Sequence, residues 1–515
     1  MPTLPVREMG AHGVISDVLP WDLPSGAFSD ARNVEFRDGA VQKSAGYLSV
    51  AAVLSSAAWM QLYDDGFSKQ LVYASASDLW LMGSGTWTNV GTGFAASTEW
   101  HSVPFGTHCI FNNAIDAPVQ KGPTDLVFAA LPGWPATWTC NLIRAYKDFL
   151  VAAVVSENGV LVSNTLYWSD AAPPNELPGT WAPGGSSLAG FITIPGDGGE
   201  IVEMRPLGDS LIIYTQAGAY ALTFTGQADA PMTLRRLPIT GGAAARECVI
   251  QFENRHFVVG ATRIYVHDTV SQAYPLESKT ESRFYAQAGP RLPLTRVTSD
   301  QRNNDILVYY QTESATGLDR DRLMKWGTLD QCATFLDLPG VSCISLAFVP
   351  TDGTRWSGLG SAKWSDFGAI RWANLGGPRN TIGVFYLSPR ALSLYRAEVG
   401  SLAAGQAFTG FAERIGIDLD QEGLKLGDRR AMVRHLYPQI SGTGTVRIFV
   451  GYSNAPDTGI LWKGPILLDL DGNPQRYRVD AIGHGRYLSW RIEHAESGSF
   501  RMSGMDVDVQ QSYER

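Results

Sequence analysis

The sequence predicts an all-β protein: a β-propeller of about six blades, preceded by an N-terminal arm and hairpin and followed by a C-terminal β-sandwich. Short apolar or alternating runs, the mark of strands, recur along the whole chain, with 54 Gly and 28 Pro scattered between them. Strand pairs return at intervals of roughly 40–75 residues, a period typical of blades that cannot bury both faces alone. Few windows carry the i, i+3, i+4 periodicity of a helix over more than about ten residues.

Residues 1–50 form the first division. Pro2, Pro5, Pro20 and Pro24 keep 1–27 extended, an arm that needs other surfaces to hold it. Asn33-Val34-Glu35-Phe36-Arg37 then alternates like a half-buried strand. Asp38-Gly39 supplies a type I′ turn, which needs positive φ. Ala40-Val41-Gln42-Lys43 starts the return strand, which Gly46-Tyr47 ends.

Residues 51–405 are assigned to the propeller. Its strand pairs are read at 70–75 with 78–82, 148–155 with 165–170, and 210–215 with 219–225. Three more follow at 255–260 with 263–267, 305–311 with 322–327, and 381–387 with 391–395. A lone strand is read at 108–113. From about 406 to 515 strict alternation replaces the apolar runs, as in Ile415–Asp420, Thr445–Val450 and Phe500–Val509. Five or so such strands of about 100 residues suit a separate sandwich.

A net charge of −9 argues against a general nucleic-acid binder, although it suits a surface past which DNA slides without sticking; plain solubility explains it equally. Five widely spread cysteines without a CxxC suit folding in a reducing cytoplasm. The start lacks the pattern of a signal peptide, and no apolar run reaches the roughly 20 residues of a spanning helix, so no membrane insertion is expected.

Candidate chemistry is sparse. Asp469-Leu470-Asp471-Gly472-Asn473 puts its Gly one position too early for a calcium loop and reads as a hairpin turn. His101 and His108 match no zinc spacing. Gly83–Trp87 resembles the end of a turn found in some sugar-cleaving propellers, but reads better as a Trp packed between blades. Trp168-Ser169-Asp170 and Trp364-Ser365-Asp366 read as side-chain-capped turns. Arg429, Arg430, Arg434 and His435 form a basic cluster, read as a solvated strand edge. No nucleophile elbow, P-loop or dinucleotide fingerprint occurs. No catalytic residue, cofactor or metal is assigned, and the protein is expected not to be an enzyme.

One stretch carries more information. Gly13, Ile15, Asp17, Leu23, Pro24, Ala27, Phe28, Ser29, Asp30, Asn33, Val34, Phe36, Arg37, Asp38, Gly39, Val41, Lys43, Gly46 and Tyr47 form an ordered pattern. It resembles the N-terminal element of the tail nozzle (tail tubular protein B-like) proteins of short-tailed bacteriophages. Gly485-Arg486-Tyr487-Leu488 and Phe500–Val509, with Asp506 and Asp508, are similar to the closing element of that family, Phe500 standing where Trp is usual. Between the two anchors only the pattern of strands matches.

The resemblance implies a structural virion protein, assembled in the bacterial cytoplasm as a homohexameric ring beneath the portal adaptor. Such a ring would line or gate the DNA ejection channel without sequence-specific binding and would carry tail fibres or spikes. It further implies an assembly motif of Asn33, Phe36, Arg37, Asp38, Gly39, Lys43, Gly46, Tyr47, Gly485, Arg486, Asp506 and Asp508. The two ends of the chain are then expected side by side in one β platform. The competing readings are a carbohydrate-binding or glycan-degrading propeller, another tail hub or fibre-attachment protein, and a free-standing interaction propeller.

Overall fold

Runs such as Phe149–Glu157, Ser210–Thr215, Asp305–Tyr310 and Gly383–Ser388 are buried along nearly their whole length. A strand covered on only one face would alternate, so these must be covered on both. The covering layers are neighbouring sheets. The computed structural model describes residues 3–511 apart from 84–85, 269–273, 277–279, 314, 316, 318, 349–381, 420–430, 457 and 473–476. The protein is 55 % strand and 4 % helix.

Seven of the sheets among the described residues have four antiparallel strands each, six of them in simple chain order. They span 59–91, 101–130, 138–193, 201–240, 249–275 and 296–341; the seventh combines 343–397 with Tyr47–Ala52. The first strand of each sheet lies against that of the next, and Cys343–Ala347 of the seventh lies against Trp59–Asp64 of the first. The array is therefore cyclic. Apolar clusters fill the spaces between neighbours: Val72, Leu79 and Phe111 join the first and second sheets, and Leu71, Phe385 and Leu394 join the seventh and first.

The seventh sheet closes the ring with strand Tyr47–Ala52, taken from the N-terminal side and paired in register Ala397↔Tyr47 to Ser393↔Ala52. Tyr47 thus begins a ring strand, whereas the sequence suggested that it ends the hairpin. Seven sheets stand where about six blades were expected. The extra one is the second, whose strands are His101–Phe105, containing Pro104, His108–Asn112, the three-residue Val119–Lys121 and the two-residue Ala129–Ala130. Only its middle strand has an apolar run long enough to read.

Two further sheets lie face to face. One has the order Val34–Arg37, Ala40–Lys43, Phe500–Gln511, Ala431–Gly442, Val479–Gly485, with Thr3–Val6 also paired to Phe500–Gln511. The other runs Asp30–Arg32, Gly410–Asp418, Tyr487–His494, Thr445–Ser453, Leu461–Asp469. Between them lies one core that includes Phe28, Val34, Phe36, Leu436, Leu488, Trp490 and Val507. This sandwich is not made from C-terminal residues alone: Leu4, Val6, Met9 and Val14 of the arm are part of its core.

Candidate functional site

The expected assembly residues fall mostly at the joint between ring and sandwich. Asn33 is the pivot. Asp30–Arg32 belongs to one sandwich sheet and Val34–Arg37 to the other, so the chain changes sheets within a single residue. That reversal puts Asn33 at φ 55°, a left-handed conformation that Asn tolerates better than other residues with a side chain. Its backbone N–H donates to Phe335 O at 2.9 Å, on the outer strand of the sixth ring sheet. Its side-chain amide donates to Asp337 Oδ2 and Thr409 O, each at 2.9 Å, and its Oδ1 accepts from the Asp337 N–H at 2.8 Å. One asparagine satisfies groups from two distant chain segments.

Two residues on, Glu35 and Arg37 enter an ionic network with the ring. Arg37 Nη2 lies 2.6 Å from Asp305 Oδ2, and Lys325 Nζ lies 3.0 Å from Glu35 Oε1, 3.0 Å from Asp305 Oδ2 and 2.8 Å from Glu398 Oε1. Burial alone would raise the Glu35 carboxyl, but Lys325 and Arg37 outweigh it and hold Glu35 below its ordinary value. Burial likewise works against the Lys325 ammonium, and the three carboxylates around it push its pKa up instead. At Asp305 burial prevails over both cations and raises the carboxyl. Lys325, Asp305, Asp337 and Glu398 were not identified from sequence, because nothing local marks residues that pair with a hairpin about 300 positions away.

Phe36 points into the sandwich core, its ring centroid 5.2 Å from that of Phe28. Asp38 and Gly39 have φ of 51° and 67°, the type I′ pattern, and Asp38 faces Arg501 at 3.3 Å in an exposed pair. Lys43 is buried, with its Nζ 4.4 Å from the Phe408 ring centroid. It donates to Glu496 O at 2.5 Å and to His494 Nδ1 at 3.3 Å. His494 Nε2 in turn donates to Thr443 O at 3.0 Å, which leaves Nδ1 as the acceptor and the imidazole neutral. Burial pulls Lys43 down to about 8, against the opposing influence of the Glu496 carboxylate.

Gly46 and Tyr47 make the crossing into the ring. A Cβ on Gly46 would overlap the Leu402 carbonyl, so the close approach admits only glycine. Gly46 N–H donates to Gly400 O at 2.8 Å, and Tyr47 N–H donates to Leu402 O at 3.0 Å. The Tyr47 ring packs edge-on against Tyr395 and Tyr386, with centroids 5.0 and 5.9 Å away. A cleft of about 470 Å³ opens beside this crossing, with Arg32, Asp337, Phe408 and Arg491 on its walls.

The two ends of the chain do meet, through Val41↔Met502 and Gln42↔Arg501. Asp506 pairs with Arg7 of the arm at 2.6 Å, and Asp508 lies opposite Thr3 and His435. Gly485 and Arg486 do not join this group. Gly485 ends the strand on the far edge of its sheet, and Arg486 pairs with Asp418 at 3.2 Å.

The remaining expectations are local. Trp87 Nε1 donates to Ala52 O at 2.8 Å, packing the first ring sheet against the seventh. Asp170 Oδ1 accepts from Ala171 and Leu188 N–H groups as a turn cap. Asp469 Oδ1 accepts from the Asp471 N–H within a turn. His435 meets Asp480 at 2.9 Å, but Arg434 and His435 lie on Ala431–Gly442, which is paired on both sides, and not on the strand edge that the sequence suggested. Ser84, Gly85, Trp364–Asp366, Arg429, Arg430 and Asn473 lie outside the described residues. What the joint can do is mechanical: it fixes the sandwich to the sixth and seventh sheets of the ring.

No family model matches the chain, and no curated protein does. Among solved structures, it is similar to apo AztD from Citrobacter koseri over 55 % of this chain and 74 % of that one, at 12 % identity and a TM-score of 0.32. It is similar to the computationally designed Ika8 protein over 69 % of this chain and all of that one, at 8 % identity and a TM-score of 0.37. At these scores neither likeness bears on function.

Proposed function

We propose that this chain is a structural component of a short-tailed bacteriophage tail, a nozzle protein whose copies form a ring under the portal adaptor and surround the DNA exit path. In this reading the seven cyclic sheets are the blades of a propeller, and the two-sheet sandwich is the platform through which copies associate. The observation that carries it is the ordered run Gly13–Tyr47. Its least replaceable members, Asn33, Arg37 and Gly46, hold the joint between ring and sandwich, so the pattern has a mechanical reason to exist. A motif of that kind supports a building block, since none of its members is disposed to do chemistry.

Native mass measurement and imaging of the purified protein, alone and with its adaptor, test the proposal. A closed ring of six copies that leaves glycans intact is the expected result. A stable monomer that cleaves capsular or lipopolysaccharide sugar would sink it.

A further inference from the structure

Five arginines and three glutamates gather around the first strands of the second to sixth ring sheets, Arg320 reaching in from the third strand of the sixth. Two of each balance: Arg144 donates to both Glu203 oxygens at 3.0 Å and to Glu247 at 2.6 Å, and Arg205 also pairs with Glu247. Two of the other three arginines share one carboxylate, Glu99, which lies 2.6 Å from Arg246 Nη2 and 3.4 Å from Arg296 Nη2. Arg320 has no ion-pair partner among the described residues. Its Nε donates to Leu294 O at 2.7 Å and its Nη1 to Ser342 O at 3.1 Å, while the adjacent Asp319 acts on it only electrostatically, beyond ion-pair distance.

This group sits on the ring axis. Glu99 precedes the second sheet, Arg246 precedes the fifth and Arg296 opens the sixth, so the Glu99 bridges join opposite sides of a seven-membered ring. Arg246 Nη1 also reaches His101 Nδ1 at 3.2 Å and Asn141 O at 2.9 Å, on the second and third sheets. Arg296 and Arg320 are buried, and Arg246 Nε is buried with no hydrogen-bond partner. Around these three guanidinium groups Glu99 is the one ion-paired carboxylate among the described residues, with Glu247 and Asp319 adding negative charge from further off, so positive charge is in excess in a place where uncompensated charge is costly. Burial and the neighbouring Arg296 pull the Arg320 guanidinium down to about 10. The Glu99 side chain is 50 % exposed, so this end of the axis is open to solvent.

We infer that Arg246, Arg296 and Arg320 form an axial binding site for a small tetrahedral dianion of the phosphate class. The excess of positive charge favours a multiply charged anion, and planar guanidinium forks suit one with several acceptor oxygens. Glu99 occupies part of the same field and competes with the anion. The inference stands apart from the virion reading, since it needs only the ring.

The test titrates inorganic phosphate into the full-length protein by calorimetry and follows the thermal midpoint, with chloride at matched ionic strength as control. One phosphate per chain is expected, with a midpoint rise that chloride does not reproduce. Affinity should fall on the order of tenfold or more in Arg320→Met and rise by a similar factor in Glu99→Gln. Should Arg320→Met not fold, the wild-type and Glu99→Gln titrations decide alone. Absence of phosphate-specific binding in both overturns the inference, as does binding that Arg320→Met leaves intact.

Discussion

Asn33 and Asp337 hold each other through two hydrogen bonds, Asn33 Nδ2 to Asp337 Oδ2 at 2.9 Å and the Asp337 N–H to Asn33 Oδ1 at 2.8 Å. They stand 304 positions apart, one in the sandwich and the other on a ring strand. The sandwich therefore takes its final form only against a completed sixth ring sheet. Because Asn33 also has φ 55°, two substitutions separate backbone from side chain. Asn33→Gly loses the side-chain bonds and keeps the conformation; Asn33→Ala loses both. The glycine variant should be the more stable by about 0.5–1 kcal/mol, once its looser unfolded state is set against the left-handed strain of alanine. Denaturant midpoints of the two variants check the order, and an alanine variant that is equal or better refutes it.

Lys43 makes stability depend on alkaline pH. Its folded pKa is pulled down to about 8, while in the unfolded chain it regains an ordinary lysine value. Between those values the unfolded state binds more protons, so the Lys43 contribution to stability rises with pH from about 8 to about 10.5. Below that window the buried charge is a constant penalty. Other lysines and tyrosines titrate in the same range, so the comparison is with Lys43→Met. The thermal midpoint of the wild type, relative to this variant, should climb across the window; a parallel pair of curves would remove Lys43 from the account.

Much of this architecture was legible for physical reasons. Continuous apolar runs such as 210–215 and 305–310 read as strands because two-sided burial leaves no room for alternation. The Asp38-Gly39 turn was legible because positive φ restricts residue choice. Lys325 and Arg320 were not, since a buried cation in a strand looks like a solvated one until its partners are known. The sandwich boundary was obscured for a related reason: Leu4 and Val6 alternate with polar or proline neighbours too briefly to announce that they share a core with Val507.

Gly46→Ala should be among the most damaging single-methyl changes in the chain. Its Cβ would meet the Leu402 backbone, which cannot rotate away as a side chain could. The strand 47–52 would shift, and with it the closing edge of the ring. A loss of more than about 3 kcal/mol is expected, the range reserved for core disruption. Gly179→Ala is the control, because nothing lies within 4 Å of its added Cβ, and it should change the midpoint little. Equal behaviour of the two would show that the crossing relaxes freely.

Lys325→Met would leave Glu35, Asp305 and Glu398 facing one another with Arg37 and Arg302 as their remaining close cations. Breaking a buried pair from one side costs about 3–5 kcal/mol, because the abandoned charge stays buried. Adding Glu35→Gln should restore part of that loss, since it deletes one of the stranded carboxylates. A double-mutant cycle on thermal midpoints reads this coupling, and strict additivity would mean that the network is solvated in solution.

Removing residues 1–27 tests whether the arm serves the protein's own fold or only its partners. Thr3–Val6 pairs with 505–508, and Leu4, Val6, Met9 and Val14 are buried in the sandwich core. Arg414, one of the largest fully buried side chains, donates to Pro20 O and, at 2.9 Å, to Leu23 O, so deletion would remove two of its carbonyl acceptors. Each lost apolar side chain alone contributes about 1.5–3 kcal/mol of burial. The truncated protein should therefore lose ordered sandwich structure as a free chain, before any question of assembly arises. Hydrogen exchange distinguishes the cases: protection should collapse across 431–442 and 500–511 while the ring strands at 210–215 and 305–310 stay protected. A truncated chain with the sandwich fully protected, yet unable to form particles, would instead make the arm a contact for neighbouring subunits.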